Sequence, residues 1–340
     1  NSGKFNVQKK NVTWEILSNE KDSIFVGYET LKSRSNIIRF AKSGTKFLIV
    51  LDKTPFYAES GGQIGDTGKI IGEDFELDVV NVVKDSSSII HVCEGDFTKA
   101  SRVTSVVDSK KRLMIKRNHT ATHLLHKALK VVLGEHVNQA GSLVESEYLR
   151  FDFTHFSKVT DEELQKVEKI VNKEICENHK LKNSLKSFSD AKKDGAEALF
   201  GEKYGNTVRV VEVGNFSMEL CGGTHVNRTG DIGSFKINQE SALSSGVRRI
   251  LAITGDRSIQ KMQHNESVIN KIQQLLNTPS DQIIPRIDDL LKEKKQLQKK
   301  VKENIVLKQK VSFSENFEKI GDYDFLIENY EDIQIDLKIV

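Results

Sequence analysis

A chain of 340 residues, 37% hydrophobic and 29% charged, has room for two or three domains with sizeable cores. No apolar run approaches the ~20 residues that cross a bilayer, so a helical membrane protein is excluded, and a net charge of +3 makes any nucleic-acid contact local rather than global. Three scattered cysteines, Cys93, Cys176 and Cys221, are too few for a disulfide framework and fit a reducing, cytoplasmic setting.

The start, Asn1-Ser2-Gly3, lacks an initiator Met and the basic, then apolar, pattern of a signal peptide, so an internal cut is expected. From about residue 5 to 107 the chain reads as short strands between turns: Ser23 to Tyr28, Lys46 to Leu51, Phe75 to Val83, Ile89 to Val92 and Val103 to Val107. Their spacing and β-branched content predict an antiparallel barrel. Within it, Thr54 to Gly68 carries four glycines without the spacing of a dinucleotide or P-loop cradle, and reads as a tight loop between strands.

Asp108 or Ser109 caps a predicted helix through about Leu133, ended by Gly134. Thr160-Asp161-Glu162-Glu163 has the capping-box pattern of a second helix, with Leu164, Val167, Val171 and Ile175 on one face. Strands follow at Val208 to Val213, Gly233 to Ile237 and Arg248 to Ile253, so the middle block is α+β. After Gly255 the pattern turns helical. Ile283, Ile287, Leu290, Leu297 and Val301 recur at helical intervals, interrupted by Lys294 and broken by Pro279 and Pro285, which predicts a helical hairpin or short coiled coil. Along it Lys292, Lys294, Lys295, Lys299, Lys300 and Lys302 alternate with Glu293 and Glu303, either an RNA-tracking stripe or a solvated face. Ile320 to Val340 begins a further element.

Two short motifs carry chemistry. In His119-Thr120-Ala121-Thr122-His123 a spacing of four places both imidazoles on one helical face, while Ala121, Leu124, Leu125, Ala128 and Val132 fall on the other. His126 lies near the same face as His119 and competes for a ligand role. In Cys221-Gly222-Gly223-Thr224-His225 a thiolate and an imidazole are again four apart, and the glycines imply a tight turn. Borderline-soft nitrogen and sulfur donors suit Zn²⁺ better than Mg²⁺ or Ca²⁺. Four protein ligands are also the signature of a purely structural zinc, so both roles stay open. A zincin peptidase is disfavoured, because Thr120 stands where that motif needs a Glu general base.

The segments Arg117 to His126 and Met218 to His225 closely resemble the two zinc motifs of alanyl-tRNA synthetase editing domains, and Pro55 to Gly68 resembles the barrel that precedes them in that family. The likeness covers nearly 1 to 255 in order. It implies an α+β chain: a β-barrel domain over 1–108, a zinc-containing editing domain over 109–256, a helical linker or coiled coil over 257–311, and the start of a C-terminal domain over 312–340. It implies zinc bound by His119, His123, Cys221 and His225, and tRNA(Ala), through its aminoacylated 3′ end, as partner. The aminoacylation domain of the family, with its ATP site, is missing, so deacylation without charging is expected. Dimerisation through the C-terminal domain is left open, and no membrane partner is expected.

By the same resemblance the reaction is hydrolysis of Ser-tRNA(Ala) or Gly-tRNA(Ala) by water. Thr122 beside the histidine face and Gln139 in Val137 to Ser142 are the candidates for reading the serine hydroxyl. Arg248 in Ser245 to Arg249 matches a family editing position and could grip the terminal phosphate or the ester carbonyl. Arg249, next on an alternating strand, points the other way. The competing readings are a non-catalytic, zinc-stabilised tRNA-binding module and a free-standing alanyl editing protein.

Overall fold

The computed structural model describes residues 12–20, 23–85, 88–198, 205–315 and 317–326, the last stretches (306–320 and 324–326) as backbone only. Two compact units result, Asn1–Met262 and Gln263–Val340.

The first unit begins with strands β1 (Glu15–Ile16), β2 (Ile24–Phe25), β3 (Lys32–Ser43), β4 (Lys46–Leu51), β5 (Lys53–Thr54), β6 (Gly68–Ile71), β7 (Glu76–Asp85), β8 (Ser88–Glu94) and β9 (Arg102–Val107). Six of them close an antiparallel barrel in the order β3-β4-β8-β7-β6-β9, with β9 returning to β3. Closure depends on β3, a strand that the sequence reading missed because Lys, Arg, Ser and Asn hide its alternation. Its first half pairs with β9, from Lys32 opposite Val106 to Asn36 opposite Arg102. A bulge between Ile37 and Arg39 then bends it, and its second half pairs with β4. Ile37, Ile49, Leu51, Phe56, Ile70 and Leu77 are buried inside. His91 is also fully buried: its Nδ1 donates to the Ile49 carbonyl at 2.9 Å, which leaves Nε2 to accept from the Thr54 hydroxyl at 2.8 Å.

Next come α1 (Ser109–Leu133), β10 (Gln139–Val144), β11 (Leu149–Thr154), α2 (Asp161–Cys176), β12 (Leu181–Ser187), α3 (Phe188–Lys193), β13 (Thr207–Val213), β14 (Ser217–Leu220), β15 (Phe235–Ser244) and β16 (Val247–Thr254). Helix α1 starts where Asp108 accepts from the Lys110 and Lys111 amides, and α2 starts at a complete capping box between Thr160 and Glu163. A four-stranded sheet, β10-β11-β16-β15, and a three-stranded sheet, β12-β13-β14, accompany them. Leu124, Leu125, Phe151, Phe153, Val167, Val171 and Val211 share one core. Ala121, Leu124, Leu125 and Ala128 pack there as the periodicity predicts. The opposite face of α1 is covered too, since every residue from 118 to 126 is buried.

Barrel and middle block are joined by a buried ion pair. Arg112, in the first turns of α1, donates Nε to both carboxylate oxygens of Asp66 (2.8 and 3.1 Å), Nη1 to the Gly27 carbonyl and Nη2 to the Pro55 carbonyl, each at 2.8 Å. Both side chains are 1% exposed, so every polar atom must be answered from within.

Helix α4 (Gly255–Leu276) leads into the second unit, which contains α5 (Ile283–Glu315) and a hairpin of β17 (Phe317–Ile320) and β18 (Tyr323–Leu326). The predicted seam does lie along α5, but Leu297 and Val301 are exposed. Most of the predicted final element, 327–340, lies outside the described residues.

Two measurements check this account. Asp66→Ala strands a buried guanidinium and is expected to lower urea stability by about 3–5 kcal/mol, whereas Glu94→Ala, at the exposed pair with Lys46, shifts it by less than about 1 kcal/mol. Burial pushes the His91 imidazole down to about 4. Its stabilising contribution is therefore present above the unfolded value near 6.5 and is lost as pH falls towards 4, a decline of order 3 kcal/mol that His91→Gln should flatten.

Candidate metal centre and adjoining pocket

His119 and His123 present neighbouring rings from α1, with centroids 5.3 Å apart. Cys221 and His225 come from the irregular loop after β14. The structure brings these four side chains together: their donor atoms all lie within 4.8 Å of one another, and the three histidines are about 95% buried. Cys221 Sγ is 3.4 Å from His119 Nε2 and 3.3 Å from His225 Nε2. A tetrahedral zinc with usual bond lengths separates sulfur and nitrogen ligands by about 3.5 Å.

Each imidazole is oriented by a partner on its far nitrogen. His123 Nδ1 donates to Glu219 Oε2 at 2.5 Å. His119 Nδ1 lies 2.7 Å from Gln63 Oε1, an oxygen that also accepts from the Thr224 amide, so the imidazole must be the donor. His225 Nδ1 meets Thr120 Oγ1 at 3.2 Å, and because that hydroxyl donates to the Lys116 carbonyl, it accepts here. With all three protons drawn outward, each Nε2 keeps its lone pair and turns inward. His123 Nε2 is buried without a hydrogen-bond partner among the described residues, an orphan that a metal would answer. The donor set fits Zn²⁺.

Electrostatics divide the cluster: burial opposes a charged His123, yet the Glu219 carboxylate and Cys221 raise it well above its ordinary value. Burial opposes the Cys221 thiolate, but positive charge at the imidazoles of 119, 225 and 123 outweighs it and holds the thiol well below its ordinary range, a charge that a bound cation would supply in their place. Burial above all pushes His225 down to about 3.

The ligand loop is gripped from two sides. Arg209 Nη1 donates to the carbonyls of Cys221 (2.9 Å) and Gly223 (3.0 Å), and its guanidinium lies over the Tyr28 ring, 4.3 Å from the centroid. Tyr28, from the barrel, donates its hydroxyl to the Gly222 carbonyl at 2.5 Å. Gly223 passes so near His119 that an added Cβ would fall 2.0 Å from its Cε1, so the predicted turn needs this glycine for close approach.

A cavity of about 410 Å³ opens beside the donors, walled by Tyr57, Ser60 and Lys84 from the barrel and by Thr122, Gln139, Ser142, Thr207 and Arg209 from the middle block. Of the predicted site residues, Thr122 and Gln139 line it. Arg248 does not, because its Nε donates to Glu240 at 2.5 Å across β15 and β16, the strand ion pair that competes with any ligand role. Arg249, on the other face, makes a two-pronged pair with Asp152. His126, the rival ligand, turns to Glu219 at 3.1 Å and packs against Phe151, outside the four-donor set.

Sequence reasoning passed over Gln63, Thr120, Glu219 and Arg209. Gln63 stood in the loop read as a turn. In fact the loop pairs with the edge of β10: Val144 N donates to the Gly62 carbonyl (2.7 Å) and Ile64 N to the Val144 carbonyl (3.2 Å), which carries Gln63 to the donors. Only the clustering of Gly, Gln and Asp in that loop hinted at it.

Residues 208–250 match the family described as the threonyl and alanyl tRNA synthetase second additional domain, and residues 2–111 match the class II (A) tRNA synthetases. These two matches relate the chain to the class II aminoacyl-tRNA synthetases. It is 46% identical over 299 residues to the alanine–tRNA ligase of Pseudothermotoga lettingae, covering 87% of this chain and 35% of that protein. For the alanine–tRNA ligase of Cytophaga hutchinsonii the figures are 46% over 323 residues, 92% and 37%; for that of Bacillus anthracis, 48% over 290 residues, 82% and 33%. Over the stretch that it spans, the chain belongs to the alanine–tRNA ligase family. That stretch is about a third of the length of these relatives.

Gln63→Leu removes the acceptor that orients His119 and is expected to weaken zinc binding about 10- to 100-fold in competition with a chelator, while circular dichroism stays unchanged. Unaltered affinity would show that Gln63 only packs.

Proposed function

We propose that the chain is the proofreading part of a cytoplasmic alanine–tRNA ligase and hydrolyses the ester of tRNA(Ala) carrying serine or glycine. One observation carries the reading. Thr122 Oγ1, in the pocket wall beside His123, donates its proton to the Asn118 carbonyl at 2.8 Å. Its remaining lone pairs can only accept. A serine hydroxyl can donate to that oxygen; alanine cannot, and its entry leaves a buried acceptor unpaired at a cost of about 1–3 kcal/mol.

Gln139, also in the pocket wall, offers both an amide donor and a carbonyl acceptor, which suit the amino and carbonyl groups of an aminoacyl ester. The ester already has a good leaving group, so these side chains need to hold the acyl end and a water in register. His119, His123, Cys221 and His225 would hold zinc, which supplies a fixed positive charge at one side of the pocket. Arg209 and Tyr28 keep the ligand loop in place throughout.

A second reading has its own support: three oriented imidazoles and one thiolate complete a four-ligand shell, the pattern of a structural metal in a non-catalytic tRNA-binding module. Deacylation of Ser-tRNA(Ala) and Ala-tRNA(Ala) by the purified chain, with zinc quantified, separates the two. Loss of serine with alanine spared is the expected result. Thr122→Val should reduce that selectivity about 10- to 100-fold with zinc content unchanged; intact Ser-tRNA(Ala) at full zinc occupancy would sink the hydrolase.

A further inference from the structure

Among the described residues, Lys84 and Arg209 both line the pocket, and they differ in their commitments. Arg209 is spent on the ligand loop, on the Tyr28 ring and on Asn183, to which Nη2 donates at 3.0 Å. Lys84 is exposed, lines the pocket, and has no ion pair or hydrogen bond from its ammonium to any described residue. It comes from the barrel, not from the block that bears the donors. Its position is built. Strand β7 pairs Lys84 with Ile89 of β8, and Glu59 N donates to the Val82 carbonyl at 2.9 Å, which seats Ser60 and Gly61 beside the end of β7. The same loop, through Gln63, reaches the metal donors. Lys84 is therefore held at the pocket wall by the segment that completes the metal centre.

Resting on the proposed function, the geometry points to Lys84 as a substrate-positioning residue that takes the phosphodiester next to the ester-bearing terminal nucleoside. Of the other described polar side chains of the wall, Ser60, Thr122, Gln139, Ser142 and Thr207 are neutral, and His119, His123 and Cys221 belong to the donor cluster. The aminoacyl end itself carries an ammonium and an ester, neither of which attracts a lysine. The nearest anion in such a substrate is the phosphate joining its last two nucleotides. An ammonium on a flexible stem suits a single phosphate as a point charge. Lys84 would thus orient the ribose from the barrel side while Thr122 reads the acyl group.

The test uses two hydrolysis-resistant probes, the seryl amide of 3′-amino-3′-deoxyadenosine with and without a 5′-phosphate, titrated against the whole chain. Wild type is expected to prefer the phosphorylated probe by about 3- to 10-fold, a charge-assisted contact at a partly exposed site, and to lose the preference as salt rises. Lys84→Gln should abolish the preference and leave affinity for the unphosphorylated probe unchanged; Lys84→Arg should retain most of it. In deacylation, Lys84→Gln should raise KM by a similar factor with kcat within about twofold. A preference that survives in Lys84→Gln, or equal weakening of both probes, overturns the assignment. Failure of wild type to bind either probe would overturn the proposed function beneath it.

Discussion

Three buried imidazole protons must each find an acceptor, and that demand organises the centre of the molecule. Glu219, Gln63 and Thr120 take the Nδ1 protons of His123, His119 and His225, so the three Nε2 atoms face one another and the Cys221 thiolate. Buried nitrogen and sulfur donors without protons between them repel unless something positive lies among them. Each acceptor sits on a different element: Glu219 on β14, Thr120 on α1, Gln63 on a barrel loop. The site is therefore as rigid as the packing of all three.

The barrel is thereby part of the functional centre. Two of its side chains touch the centre directly, Gln63 at a histidine and Tyr28 at the ligand loop. The buried pair of Arg112 and Asp66 ties the same barrel loop to the start of α1, the helix that carries His119 and His123. A buried ion pair contributes little net stability against an apolar replacement, but it permits few alternative registers. Here it sets the helix against the loop whose Gln63 meets His119 seven residues further along.

Burial also decides which polar groups remain available. Arg248, Arg249 and Arg209 look alike in sequence, yet each is engaged by protein acceptors. Thr122 keeps lone pairs free only because its proton is already donated along the helix. The donor or acceptor character of such pocket groups is thus dictated by neighbours outside the pocket.

Local chemistry made much of this legible. Capping residues marked the starts of α1 and α2, periodicity marked the buried face of α1, and the His-x3-His and Cys-x3-His spacings named the four donors that the fold assembles. These are properties of a helix turn or a tight turn, carried within a few consecutive residues. What the sequence by itself could not determine depended on partners distant along the chain. The polar strand β3 has no clear alternation of its own and exists because β9 and β4 flank it. Gln63 and His119, 56 residues apart, meet only because the loop at 62–64 pairs with β10, and Arg248 turns to Glu240 because β15 and β16 are neighbours. Hydrogen-bond satisfaction among buried groups is a condition on the whole fold, so the tertiary structure alone decided which residues orient the donors, which line the pocket, and which are left to pair among themselves.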